Sequence, residues 1–131
     1  MVLFDAGDSG APTKLGHTHN DPCTVLAWRD GHRIITDTGV FDYQPGRRRE
    51  HARSVRGHNT VAVEDSEPTA FGGRFAMSGA VPATTARSSA DGIVTVTATY
   101  RAGTDNRYTH RRTCYGGSNW VLVWDELNEP R

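Results

Sequence analysis

Side chains able to bind a metal ion occur in three separate segments of the first half of the chain. His17 and His19 are two positions apart, so in an extended segment both point to the same face. Asp37 and His58 follow, each beside a predicted strand. Two imidazoles, one carboxylate and a water form a four-coordinate site that suits zinc. We therefore predict a metal site, zinc or another divalent ion, built from His19, Asp37 and His58, with His17 either facing a substrate or binding the metal as well.

A predicted β-hairpin would bring two of these residues close together. Residues 23–28 and 33–36 are β-type runs on either side of Asp30-Gly31, a dipeptide typical of tight hairpin turns. Because a hairpin brings the outer ends of its strands together, His19 and Asp37 are expected at the same end. A carboxylate beside an apolar strand also needs a partner. The alternatives are loop histidines bonded to backbone and a turn-capping Asp37.

Residues 42–58 are polar and rich in arginine, and we predict a long functional loop there. Tyr43 near a cation could act as a general acid or base, although packing is the commoner fate of a lone tyrosine. Arg53 is the candidate for binding an anionic substrate, because arginine pairs bidentately with such groups. Most of the other arginines in this segment are expected on a solvated surface.

Composition excludes several classes of function. The 131 residues carry a formal net charge of zero, which argues against nucleic-acid binding by bulk charge. The apolar runs are too short to span a membrane, and the first residues do not form a signal peptide. Cys23 and Cys114 make no CxxC pair, so buried free thiols are expected.

The remaining sequence is interpreted as strands and turns, without a sustained helical period. Strands are predicted over residues 60–63, 92–100, 108–115 and 119–125, the last two joined at Gly116-Gly117. Trp120 and Trp124 lie in an apolar run and are expected in the core. The predicted class is all-β, an antiparallel β-sandwich that is a partial piece of a larger multi-sheet domain.

Three motifs resemble, in order and spacing, those of the heparinase II/III-like polysaccharide lyases. They are GHxHxD at residues 16–21, DxGx(Y/F) at residues 37–41 and RSxxxHNTV at residues 53–61, with a looser match over residues 108–126. The resemblance implies a C-terminal β-sheet domain that normally follows an N-terminal α/α toroid. It also implies cleavage of uronic-acid polysaccharides by β-elimination, and a periplasmic or secreted location.

The same resemblance assigns roles to individual residues. His19, Asp37 and His58 match zinc ligands, His17 matches a histidine of the active-site cleft, and Tyr43 lies near a cleft tyrosine. In the family, the toroid supplies the groups that neutralise the uronate and move its proton. No toroid fits in this chain, so we expect the chain alone to be inactive, with the helical domain and an anionic polysaccharide as its partners.

Two other functions are compatible with the sequence. One would use some of the same metal ligands, and the other would use none of them. A cupin-like jelly roll would hold iron or manganese with two histidines and a carboxylate, and its third ligand would be His110, on a late strand, in place of His58. A non-catalytic carbohydrate-binding sandwich would hold no stoichiometric metal and would expose aromatic side chains.

Overall fold

The computed structural model describes residues 1–10, 15–64, 66–72, 77, 81–102 and 107–128. These residues form mainly antiparallel β-structure, which confirms the predicted all-β class. The strands are β1 (Val2–Phe4), β2 (Val25–Arg29), β3 (His32–Ile35), β4 (Ala83–Ala90), β5 (Ile93–Ala102), β6 (Tyr108–Gly116) and β7 (Val121–Asn128). The helices are α1 (Arg47–Arg53) and 3-10 turns at Leu15–His17 and Val55–Gly57. Within the described chain, no helix is long and apolar enough to cross a membrane.

Strands β1, β2 and β3 form a three-stranded sheet with β2 in the middle. The predicted hairpin joins β2 to β3, and its two central residues, Asp30 and Gly31, have φ angles of 49° and 80°. Positive φ at both positions is what a type I′ turn requires, and it explains the Asp-Gly pair. The hairpin is confirmed.

Strands β4 to β7 form a four-stranded meander in chain order. The strand pair β6–β7 agrees with the prediction, but β4 was not predicted. Its residues are mostly exposed Thr, Ser and Ala, so the apolar alternation that signals a strand is missing. The β4–β5 turn, Asp91-Gly92, also has positive φ at both positions (51° and 76°).

The core lies against the inner face of this larger sheet. Tyr100 on β5 and Tyr108 on β6 pack there with Cys23 and Val81. Both cysteines are free and buried, as predicted. The expectation for Trp120 and Trp124 was wrong, because their exposed fractions are 47% and 57%. The neighbours of Trp124 on β7 include half-buried Val123, so the alternation of the strand turns the indole away from the core.

The segment between β3 and β4 differs from the prediction in two ways. Residues 60–63 form only an isolated bridge, between Val63 and Ser66, in place of a strand. The helix α1 lies inside the predicted long loop, and its buried side consists of Arg49, Ala52 and Arg53. A helical face made largely of arginine has no apolar period, so hydrophobic patterning could not reveal it. Residues 11–14, which belong to a segment rich in turn-forming residues, and Phe75 lie outside the described residues.

Candidate functional site

His58 and Asp37 are joined side chain to side chain. The Nδ1 atom of His58 lies 2.7 Å from Oδ2 of Asp37, and the imidazole is only 2% exposed. The other carboxylate oxygen, Oδ1, accepts a hydrogen bond of 2.7 Å from the backbone N–H of Gly39. Both oxygens of Asp37 are therefore engaged, one in the expected turn and one in fixing the orientation of the His58 ring.

The second nitrogen of His58 is left without a partner. Its Nε2 atom is buried and has no hydrogen bond among the described residues. A buried polar atom without a partner is costly, and it indicates a ligand or water that completes the site. The ring of His19 lies beside the ring of His58, with 5.3 Å between the two centroids. The predicted trio is thus brought together around the His58 imidazole, with Asp37 at Nδ1 and with Nε2 unpaired among the described residues.

Burial sets the charge state of His19. Burial is the main reason why the pKa of this imidazole falls to about 4, and repulsion from His58 and Arg53 adds to the effect. His19 is therefore neutral near pH 7. Neutral imidazole is the form that binds a metal ion.

The donor chemistry of the trio fits a divalent metal, since it offers two imidazoles and a carboxylate, and Nε2 of His58 has no partner among the described residues. The geometry is less complete. Within the ranges that the structure describes, no three His, Cys, Asp or Glu side chains already stand as a metal-binding group. The hydrogen bond from His58 to Asp37 accounts for this, because it places the carboxylate at Nδ1 of the imidazole and away from Nε2.

An open pocket of about 490 Å³ lies in front of this cluster. His17, His19, Asp37 and His58 all line it, so the cluster faces the space that a substrate would enter. Asp21 lines it too, and sequence reasoning assigned that residue no role. Burial raises the pKa of Asp21, while the nearby His58 opposes the rise. The final Asp of the GHxHxD motif was the signal that could have identified it.

The two residues predicted to be catalytic are in contact. His17 and Tyr43 meet edge to face, with 5.8 Å between ring centroids, and His17 lines the pocket. The guanidinium of Arg49 lies 5.1 Å from the centre of the Tyr43 ring, in a cation–π contact. Arg49 also donates a hydrogen bond of 2.6 Å to the carbonyl of Asp42. The helix α1 thus holds Tyr43 against His17.

Arg53, the predicted substrate-binding arginine, is only 3% exposed. Its backbone carbonyl accepts a hydrogen bond of 2.9 Å from the N–H of Asn20. Its guanidinium lies 5.3 Å from the centre of the Phe71 ring. These contacts suit a residue that supports the His17–Asp21 segment, and the role in substrate binding stays a prediction.

Asn20, which lies between His19 and Asp21, is fully buried. Its amide Nδ2 donates to the carbonyl of Thr69 at 2.9 Å and to the carboxylate of Glu67 at 2.7 Å, while its Oδ1 accepts from the N–H of Thr69 at 3.0 Å. Every direction of the amide is used. This side chain therefore locks the segment that carries His19 and Asp21.

Asn59, directly after His58, connects all three site segments. Its side-chain amide donates to the carbonyl of Thr36, next to Asp37. Its backbone N–H donates to Oγ1 of Thr24 at 3.0 Å. Its carbonyl accepts a hydrogen bond from Nη1 of Arg112, on β6. The position of His58 therefore depends on contacts of its neighbour with the residue before β2, the residue after β3 and the larger sheet.

Arg112 belongs to a buried polar network of the larger sheet. It pairs with Asp125 through two hydrogen bonds, of 2.7 and 2.8 Å, and donates to the carbonyl of Cys23 at 2.8 Å. His110 joins the network with both ring nitrogens, 2.7 Å from Asp125 and 3.0 Å from the hydroxyl of Tyr100. With both nitrogens engaged in the core, His110 is not positioned to replace His58 as a ligand.

Comparison with known proteins gives one match. The family model for the heparinase II/III-like C-terminal domain matches residues 1–131, the whole chain. This match confirms the resemblance inferred from the three motifs. No curated protein and no solved structure gives a significant match.

Proposed function

The chain belongs to the heparinase II/III-like C-terminal family, and we propose that it forms one wall of a lyase cleft that cleaves uronic-acid polysaccharides by β-elimination. The observation that carries the proposal is the pocket in which His17, His19, Asp37 and His58 converge. Each of the three family motifs contributes residues to the lining of this pocket.

The reaction makes two demands on such a cleft. A base must remove the proton next to the uronate carboxylate, and the negative charge that develops must be stabilised. His17 lines the pocket and Tyr43 contacts the His17 ring, so this pair is the candidate for proton transfer. We propose that a helical domain, the partner implied by the family, supplies the groups that neutralise the uronate. The chain alone is then inactive.

We also propose that His19, Asp37 and His58 hold a divalent metal, zinc first. The buried Nε2 of His58 and the neutral state of His19 support this assignment. A bound ion would fix the three segments relative to one another and would carry positive charge at the cleft wall. The partial burial of the cluster at the pocket wall favours an organising role for the ion.

A second role for the same residues is favoured by one observation. The 2.7 Å contact between Asp37 and Nδ1 of His58 is the arrangement in which a carboxylate orients a histidine base. In that case His58 accepts a proton through Nε2 and needs no metal. The two roles predict different metal contents. Only the first predicts a bound ion that is lost when either His19 or His58 is replaced.

Electrophoresis in gels that contain alginate or heparin tests the cleft-wall proposal. The chain should be retarded relative to a gel that contains neutral dextran, and His17→Ala should weaken the retardation while His32→Ala, at an exposed position outside the pocket, should not. Equal mobility in all gels would contradict the proposal. Release of unsaturated uronates by the chain alone, seen as new ultraviolet absorbance, would contradict the proposed need for a second domain.

A further inference from the structure

The pocket continues beyond the cluster of histidines and acids, along the outer face of the three-stranded sheet. Leu3, Leu26 and Ile35 line this extension, one from each strand. They alternate with the core-facing Val25 and Ala27, so the extension has an apolar floor. An apolar floor next to a polar cluster is typical of a site for an extended ligand.

The far end of the extension is formed by a tryptophan and an arginine. Trp28 on β2 and Arg33 on β3 stand directly opposite each other in the register of the hairpin, and both line the pocket. Trp28 is half-buried and Arg33 is exposed. No hydrogen bond or ion pair engages the guanidinium of Arg33 within the described part of the chain. It is available to an incoming anion.

Charge is segregated along this face. Asp5, Asp21 and Asp37 lie where β1 ends, β2 begins and β3 ends, so the acids share one end of the sheet with His19. Arg33 lies at the other end, next to the hairpin turn. At a strand rise of about 3.3 Å per residue, Trp28 stands roughly 13 Å along β2 from Thr24 at the acidic end. The groove can therefore receive a neighbouring unit of a chain whose reacting unit lies at the cluster.

We propose that Trp28 and Arg33 form a subsite for an anionic sugar unit next to the one that reacts. The indole offers a flat apolar surface to a pyranose ring, and the guanidinium pairs with a carboxylate or sulfate on that ring. This subsite rests on the proposed lyase function, and it specifies the ligand of that function more closely. It predicts that binding requires an anionic group and not merely a sugar.

Nuclear magnetic resonance of the 131-residue chain tests the subsite directly. The indole N–H signal of Trp28 is observed during titration with three probes: a heparin tetrasaccharide, an alginate tetrasaccharide and neutral cellotetraose. We expect the signal to shift with at least one acidic probe and not with cellotetraose, while the exposed Trp124, outside the pocket, stays constant. Response to both acidic probes indicates a shared carboxylate, and response to heparin alone indicates sulfate.

Matched arginine variants complete the test. Arg33→Gln should weaken binding of the acidic probe about five- to tenfold, whereas Arg101→Gln, an exposed arginine on β5, should not. A constant Trp28 signal with both acidic probes, or equal affinity in the two variants, would overturn the subsite. The lyase proposal is tested by a different measurement, the gel retardation of the His17→Ala variant. The two proposals can therefore fail independently.

Discussion

The carbonyl oxygen of Asn59 accepts a hydrogen bond from Nη1 of Arg112, a residue 53 positions further along the chain. The same Arg112 nitrogen donates to the carbonyl of Cys23. One guanidinium thus ties the segment after His58 and the start of the β2 segment to the larger sheet. The candidate site is assembled on a sheet that contributes no side chain to the proposed metal trio.

Removing this guanidinium should destabilise the whole fold. In Arg112→Ala, Asp125 loses its buried partner and two backbone carbonyls lose their donor. Removing one partner of a buried pair costs about 3–5 kcal/mol, and we expect about 2–3 kcal/mol here because the Asp125 side chain is 29% exposed. Urea unfolding measures this loss.

The neighbouring Arg111 is the matched control, because its ion pair with Glu126 is solvent-exposed. Arg111→Ala should change the free energy of unfolding by less than about 0.5 kcal/mol. Equal losses in the two variants would show that the Arg112 network is not what holds the fold.

Acid should weaken the same network in two steps. Burial lowers the pKa of His110 further than its hydrogen bond to Asp125 raises it, so the folded protein disfavours protonated His110. Stability should therefore begin to fall as the pH drops below the ordinary value of 6.5, where the unfolded chain takes up the proton. Unfolding free energies measured across this range, with a chelator present to remove bound metal, test the first step.

The second step involves Asp125. Burial alone would raise the pKa of this carboxyl, but the hydrogen bonds from Arg112 and His110 outweigh burial and hold it below its usual value of 3.8. Its contribution is present above 3.8 and is lost as the pH falls through the lower folded-state pKa. Asp125→Asn should flatten this lower part of the profile. An unchanged profile in the variant would refute the assignment.

Gly57, directly before His58, should not tolerate a side chain. An added Cβ would lie 2.6 Å from the carbonyl oxygen of His51 and 3.0 Å from Oγ1 of Thr38. The backbone must shift to relieve this overlap, so Gly57→Ala should cost about 1–3 kcal/mol and displace His58. Gly116→Ala is the control, since its Cβ would meet nothing closer than 3.9 Å. Equal melting temperatures for both variants would contradict this prediction.

Asn59→Ala should loosen the site without unfolding the chain. The substitution removes the side-chain hydrogen bond to Thr36 and leaves both backbone contacts of Asn59 intact. Residues that orient metal ligands typically contribute about 10- to 100-fold in affinity, so zinc affinity should fall by about tenfold. Competition with a zinc-binding dye measures the change, and Asn119→Ala, an exposed turn residue, is the control. Undiminished affinity in Asn59→Ala would count against Asn59 as the connector.

Sequence patterning predicted the parts of the fold that local chemistry determines. Asp30-Gly31 specified a turn with positive φ at both positions, and the hairpin explains why His19 and Asp37 both lie next to His58. The exposed strand β4 and the arginine-faced helix α1 carry no apolar period, so they were not predictable in this way.

The site's supporting contacts depend on register, which spacing does not reveal. Arg112 stands directly opposite Asp125 only in the β6–β7 pairing that the structure shows. Two charged residues at inward positions of neighbouring strands were visible in the sequence, but their alignment was not. For the same reason, the hydrogen bond that turns Asp37 toward His58 was not expected.

The metal content of the purified chain tests the central claim most directly. We predict one zinc ion per chain after dialysis against zinc, and its loss in both His19→Ala and His58→Ala. The exposed His32→Ala and His51→Ala variants should retain it. Zinc that is absent from the unmodified chain, or unchanged in both ligand variants, would contradict the metal site and leave the Asp37–His58 pair as an oriented base.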